Sequence, residues 1–266
     1  MSDVIIRTLQ EGASDVKIRT LKGGTATISA DSRAALLATL GGEVHLPGTP
    51  GYDRARTVWN ATVDKHPGLV VSCIGASDVM QAVRFAKEHD LLVAVRAGGH
   101  NIAGKAVADD ALLIDLSAMR LVRVNPAAKT AWAGPGATLA DFDRETQAFG
   151  LATPVGINST TGIAGLTLGG GFGWITRKFG MSVDNLIAAD VVLADGTMRQ
   201  ASATENPDLF WALRGGGGNF GIVTGFEFKL HTLGPQVLAG LIVHPFADAA
   251  KVLREYRAFV AQAPMS

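Results

Sequence analysis

Glycine constrains this chain more than any other residue, because 32 of the 266 residues are glycine and many gather in three tracts. These run from Arg96 to Gly104, from Gly156 to Gly173 and from Gly215 to Gly221. A residue without Cβ weakens helices and strands and is tolerated where backbone must turn or approach something closely. Clustering of this kind implies a ligand held largely by main chain. The charge balance agrees: 24 basic and 24 acidic residues leave no electrostatic footprint for nucleic acid or an anionic membrane. A small ligand of modest charge fits better.

The length allows one large domain or two moderate ones. The single cysteine, Cys73, lies in the apolar run Gly68–Ile74, which excludes an intrachain disulfide, argues against a cysteine-based metal cluster and reads as a buried strand thiol. No metal site is expected. The start Met1-Ser2-Asp3-Val4 lacks a basic segment leading into a long apolar one, and no apolar stretch reaches the roughly 18 residues of a membrane span, so a cytoplasmic chain is expected.

Patterning predicts an alternation of helices and strands. Residues 1–30 are polar and weakly patterned, and Asp31-Ser32 reads as the cap of a short helix over Arg33–Leu40. Leu69–Ile74 and Ala111–Leu116 read as buried strands, and Leu91–Val95 as another. Ser77 is the expected cap of a helix over Asp78–Glu88, and Thr138 of one ending near Phe149 before Gly150. Asp190–Thr197 resembles a strand entering a turn, Asn206-Pro207 opens a short helix, and Ile222–Leu230 is rich in β-branched and aromatic residues. A strand over Val237–Val243 and a helix over Asp248–Ala261 complete the reading.

Two nucleotide-binding motifs fail in context. Gly99 to Lys105 imitates a phosphate-binding loop, but position 106 is alanine, where a magnesium-holding hydroxyl is needed, and a strand rather than a helix follows. Phosphoryl transfer is therefore the remote alternative. Gly216-x-Gly218-x-x-Gly221 matches a dinucleotide fingerprint but opens a strand after a helix, the reverse of the required order.

Taken in order, three segments resemble the FAD-linked oxidases of the vanillyl-alcohol oxidase superfamily, in particular the berberine bridge enzyme-like group. They are Arg96-Ala97-Gly98-Gly99-His100, then Thr161-Gly162-Ile163-Ala164-Gly165 through Gly173, then Asn206-Pro207-Asp208-Leu209-Phe210-Trp211 through Val223. The likeness covers residues 45–235. It implies an α+β fold, a PCMH-type FAD-binding domain of two α/β subdomains over residues 63–235, preceded by an N-terminal segment (1–62) and followed by the first strand and helix of an incomplete substrate domain (236–266). In such proteins a substrate hydride passes from an alcohol, sugar or aromatic donor to flavin N5, and O2 or another acceptor reoxidises the flavin.

The resemblance also assigns the site. Arg96, Ala97, Gly98, Gly99, His100, Asn101 and Ile102 would form the first cofactor-binding loop, with Gly98, Gly99 and Asn101 offering backbone to the pyrophosphate. Thr161, Gly162 and Gly165 would let main chain pass against the cofactor, while Gly169 to Gly173 also read as a packed turn. Ile222 and Val223 would meet the adenine or flavin, or serve as an ordinary buried strand. His100 would be bonded to the 8α-methyl of the flavin, or else would hydrogen-bond a phosphate or the loop itself. Gly156–Gly162 carries no cysteine, so a second, cysteinyl link is not expected. The catalytic base and most of the substrate pocket would come from the half of the family fold that lies beyond this chain, so no catalytic residue is assigned. A flavin-binding fragment without turnover is the second reading. The partners are then a small-molecule electron donor and an acceptor, with the oligomeric state open.

Overall fold

The computed structural model describes residues 15–238 and 240–263. Two lobes, each with its own sheet, meet along one seam. The first begins with a hairpin, β1 (Val16–Arg19) and β2 (Thr25–Ile28), whose Ile18 and Ile28 are fully buried in the lobe. Helix α1 (Ala30–Leu37) follows. Its cap is Ser29, whose hydroxyl accepts from Ser32 N at 3.1 Å, so Asp31-Ser32 lies in the first turn rather than before it.

The first lobe is built on the sheet order β3-β4-β6-β5. Strands β4 (Leu69–Ser72), β5 (Val93–Arg96) and β6 (Leu112–Asp115) run parallel, while β3 (Glu43–His45) joins β4 antiparallel. Strands buried on both faces need continuous apolar runs, and alternation along them feeds two cores. Leu69, Val71, Leu112 and Ile114 face one cluster, which includes Cys73, while Val70 and Leu113 face another with Tyr52 of α2 (Tyr52–Arg56). Burial pushes the Cys73 thiol far above its usual range, as an inert core residue requires.

Helix α3 (Ala76–Glu88) covers the first core with Val79, Ala82, Phe85 and Ala86. Its cap is Gly75, without a side-chain hydrogen bond, two residues earlier than the expected Ser77. Its buried Asp78 instead accepts from Gly41 N at 2.8 Å and Ile74 N at 2.9 Å, tying two loops to the helix. Strand β3 pairs with β4 across position 62, so Glu43–His45 share a sheet with Val70–Ser72.

The second lobe is an antiparallel sheet in the order β11-β10-β12-β8-β7. Its members are β7 (Val122–Asn125), β8 (Thr130–Ala133), β10 (Leu186–Val192), β11 (Met198–Ser202) and β12 (Ile222–Lys229). Strand β10 starts at Leu186, four residues before the stretch patterning selects, and its Asp190–Val192 end runs into the turn of residues 193–197, as that pattern expects. A short pair, β9 (Leu151–Ala152) with β13 (His231–Thr232), forms a separate antiparallel ladder.

Helix α4 (Leu139–Gln147) carries the capping box that Thr138 predicts: its hydroxyl accepts from Asp141 N, and the Asp141 carboxylate accepts from Thr138 N. Phe142 of α4 meets Phe228 edge-on at 5.4 Å in the core, an arrangement favoured by the ring quadrupoles. Within the second glycine tract lies a helix that glycine content conceals, α5 (Ile163–Leu168), which buries Ile163, Ala164 and Leu168. A single turn, α6 (Thr176–Phe179), and α7 (Pro207–Leu213) follow.

The strand expected over Val237–Val243 does not form among the described residues. Leu238, Leu241, Ile242 and Val243 are almost fully exposed, because a strand needs a neighbouring edge for its backbone donors and acceptors, and none lies beside this segment. Helix α8 (Ala249–Gln262) does form, but none of its residues is buried.

The seam between the lobes is a strand shared by both cores. Ile222 and Val223 are consecutive on β12, paired to Val192 and Val191 of β10. Val223 and Val191 sit in the core of the second lobe, whereas Val192 and Ile222 pack into that of the first.

Candidate functional site

The first glycine tract leaves the carboxyl end of β5, where open sheets place their ligands. Its first residue, Arg96, is buried and forks onto Asp115 of the adjacent strand, with Nε–Oδ1 at 3.0 Å and the second guanidinium arm to Oδ2 at 2.8 Å. The remaining N–H groups reach the carbonyls of Thr57 and Arg54 and the Ser117 hydroxyl. The five donors of a guanidinium are thereby engaged, so Arg96 braces the tract from beneath.

Gly98 and Gly162 bring the first two tracts together. A Cβ on Gly98 would lie 2.4 Å from the Gly162 Cα, and one on Gly162 would lie 2.6 Å from the Gly98 Cα. Only two residues without side chains permit that approach. The second tract is in turn zipped to the capped start of α4: Leu139 N donates to Thr161 O and Ile163 N to Ala137 O, each at 2.9 Å.

A cleft of ≈ 220 Å³ opens between these segments, lined by Thr57, Arg96, Ala97, Gly98, Gly99, Ser117, Arg120, Gly136 and Thr138. Arg120 is held at its wall by a forked pair with Asp141, at 2.8–3.0 Å. Burial pushes the Asp141 carboxyl up, but the Thr138 backbone and hydroxyl donors and the Arg120 guanidinium outweigh it and keep it below the usual carboxylate range. The wall thus combines the Gly98-Gly99 backbone with a fixed cation, groups suited to phosphate oxygens, while the Thr57, Ser117 and Thr138 hydroxyls donate to Asp53 O, Asp115 Oδ2 and Asp141 Oδ2.

Farther along the tract, Gly99 adopts a left-handed φ of 65° and turns the chain toward His100. The His100 ring stacks on Trp59 with centroids 4.2 Å apart and planes 20° apart. Trp59 N donates to Gly99 O at 3.0 Å, and Asn60 Nδ2 to Ile102 O at 2.8 Å. Asn101 Oδ1 accepts from Lys105 N, while Ile102 is exposed. Beyond Lys105 no helix forms before β6, which removes the geometry a phosphate-binding loop needs.

The structure therefore brings Arg96–Ile102 together with Thr161 and Gly162. Gly165 is exposed on α5, with open space where a Cβ would point. Ile222 and Val223 are not among the residues lining the cleft and lie in the seam described above. Sequence reasoning missed Ser117, Arg120 and Gly136, and read Thr138 only as a cap. A signal existed in Asp115 and Ser117, polar residues at the carboxyl end of a buried parallel strand.

Residues 67–202 match the family model described as an FAD binding domain. The chain belongs to that FAD-binding family. It is 38% identical over 211 residues to (R)-6-hydroxynicotine oxidase of Paenarthrobacter nicotinovorans, covering 79% of this chain and 46% of the relative. The crystal structure of 6-hydroxy-D-nicotine oxidase from Arthrobacter nicotinovorans superposes with a TM-score of 0.79 at 35% identity, over 83% of this chain and 49% of that one. A berberine bridge enzyme-like protein of Physcomitrella patens matches with a TM-score of 0.68 at 35% identity, over 74% and 44% of the two chains. The resemblance to FAD-linked oxidoreductases and the α+β PCMH-type fold are thus borne out. This FAD-binding chain spans less than half the length of these relatives.

Proposed function

We propose that the chain holds FAD for a flavin-dependent oxidoreductase, and that His100 tethers the cofactor covalently at its 8α position. The observation that carries this reading is the contact of Gly98 with Gly162, which packs two glycine tracts backbone to backbone beside a cleft lined by Gly98 and Gly99, with the His100 imidazole next in the chain. Cleft and cofactor fit: Arg120 would hold phosphate oxygens with the Gly98-Gly99 backbone, and His100 sits one residue beyond the glycines. FAD supplies, when bound, a two-electron acceptor for a substrate C–H bond.

The residues themselves bind, orient and exclude. Arg96 holds the loop in register with Asp115, Asp141 fixes Arg120 against the cleft, and Trp59 covers one face of His100. Balanced charge supports a small-molecule donor of the alcohol, sugar or aromatic class, with dioxygen or another acceptor as oxidant. A cysteinyl second link has no residue to make it, since position 158 and its neighbours are Asn158, Ser159 and Thr160.

The test is a visible absorption spectrum of the purified chain followed by acid precipitation. Flavin colour in the pellet that disappears in His100→Ala supports the tether and the loop assignment; colour released to the supernatant leaves a non-covalent site. A second reading, cofactor binding without turnover, is favoured by the exposed apolar stretch Leu241–Val243 and by α8, which has no buried residue. It predicts bound FAD that no donor bleaches, and turnover by this chain alone would overturn it.

A further inference from the structure

Trp59 is half exposed, at 53%, and so is not a core residue, yet its indole lies nearly parallel to the His100 imidazole at 4.2 Å. The backbone bond from Trp59 N to Gly99 O locks the two segments in that register. Beside the imidazole lies Thr160, whose Oγ1 is 3.4 Å from His100 Nε2. The Thr160 hydroxyl donates its proton to Asn158 Oδ1 at 2.9 Å, and an amide oxygen only accepts. Thr160 therefore offers His100 a lone pair, so Nε2 carries the hydrogen and Nδ1 carries the free lone pair.

We propose that Trp59 and Thr160 are positioning residues for His100, the indole fixing the plane of the imidazole and the hydroxyl fixing its tautomer. The inference rests on the tether proposed above. Attachment replaces one C–H bond of the ring's 8α-methyl by a bond from carbon to imidazole nitrogen. The two electrons released reduce the isoalloxazine, which takes up the proton lost by the methyl and the one displaced from the imidazole, and dioxygen then reoxidises it to give hydrogen peroxide. A ring free to rotate, or in the other tautomer, presents its lone pair to that carbon only part of the time.

The experiment compares the full chain with Trp59→Ala, Trp59→Phe, Thr160→Val and Thr160→Ser, each prepared as apoprotein and reconstituted with FAD. Total bound flavin and acid-stable flavin are followed separately over time. Trp59→Ala and Thr160→Val should slow acid-stable incorporation about threefold to tenfold, the range expected for losing one ring stack or one oriented hydrogen bond, with total bound FAD unchanged. Trp59→Phe and Thr160→Ser should restore the wild-type rate. Equal rates in all variants would overturn the inference, as would a parallel fall in total flavin, the mark of a collapsed loop. Wild-type protein that binds FAD but yields no acid-stable flavin would instead remove the tether on which the inference stands.

Discussion

The Cα of Gly162 occupies the place where a side chain on Gly98 would begin, 2.4 Å from that position. Both residues are ordinary in backbone conformation to the extent that neither has a positive φ, so close approach alone demands glycine here. Gly98→Ala or Gly162→Ala should force the loops apart, costing about 1–3 kcal/mol as overpacking does, and should reduce flavin retention sharply. Gly165→Ala provides the contrast. It has open space for the methyl and lies within α5, so it should raise the stability of the cofactor-free chain by up to about 1 kcal/mol. Weaker FAD binding in that stabilised variant, read by titration, would place the cofactor against α5; unchanged binding would place it elsewhere.

Arg96 and Asp115 are a buried forked pair whose partners are all internal. Removing one member leaves the other charge stranded, so Arg96→Met or Asp115→Ala should lose about 3–5 kcal/mol in denaturant unfolding. The double change Arg96→Met with Asp115→Leu should recover part of that loss. A single variant as stable as wild type would mean that Arg96 does not brace the loop.

The Asp141 carboxyl titrates below its ordinary value in the folded chain, so the folded state binds its proton less readily than the unfolded state. The resulting stabilisation is fully present above the unfolded carboxylate value of about 4 and is lost as pH falls through the folded one. Thermal midpoints recorded between pH 3 and 6 should therefore drop less steeply in Asp141→Asn than in wild type. The same substitution should loosen Arg120 and α4, lowering stability by about 1 kcal/mol near neutrality, the usual worth of a cap.

His231 behaves in the same sense at a higher pH. Burial, with Lys229 and Lys129 nearby, depresses its proton affinity, while the ring stacks on Phe179 at 4.1 Å and its Nε2 lies 2.7 Å from Asn185 Oδ1. Stability that is complete above the unfolded histidine value of about 6.5 should decline as pH falls below it. In His231→Gln that decline between pH 7 and 5 should be blunted, as read by the thermal midpoint at each pH.

Legibility from sequence followed how local the determinants were. The Thr138 cap with Asp141 three residues on, and the apolar runs of β4 and β6, are signals contained in a few neighbouring residues, and each produced its element. The β7–β8 hairpin escaped notice because its turn has Lys129 rather than glycine in the left-handed position. Helix α5 was hidden by glycines that serve close packing. Val237–Val243 misled because its β-like composition says nothing of whether an edge is available. The first tract was legible as a glycine loop leaving a buried strand, but the cleft wall was not, since Ser117, Arg120, Gly136 and Thr138 converge from segments whose meeting depends on how two sheets dock.

That docking runs through Ile222 and Val223, consecutive residues committed to opposite cores. Rotating one lobe against the other would drag an apolar side chain out of its socket, so the two halves should melt as one cooperative unit. A cofactor bound in the cleft, as proposed, would then meet walls close to their final spacing. Little ordering remains to be done on capture, and heat should release the cofactor and unfold the polypeptide in a single event.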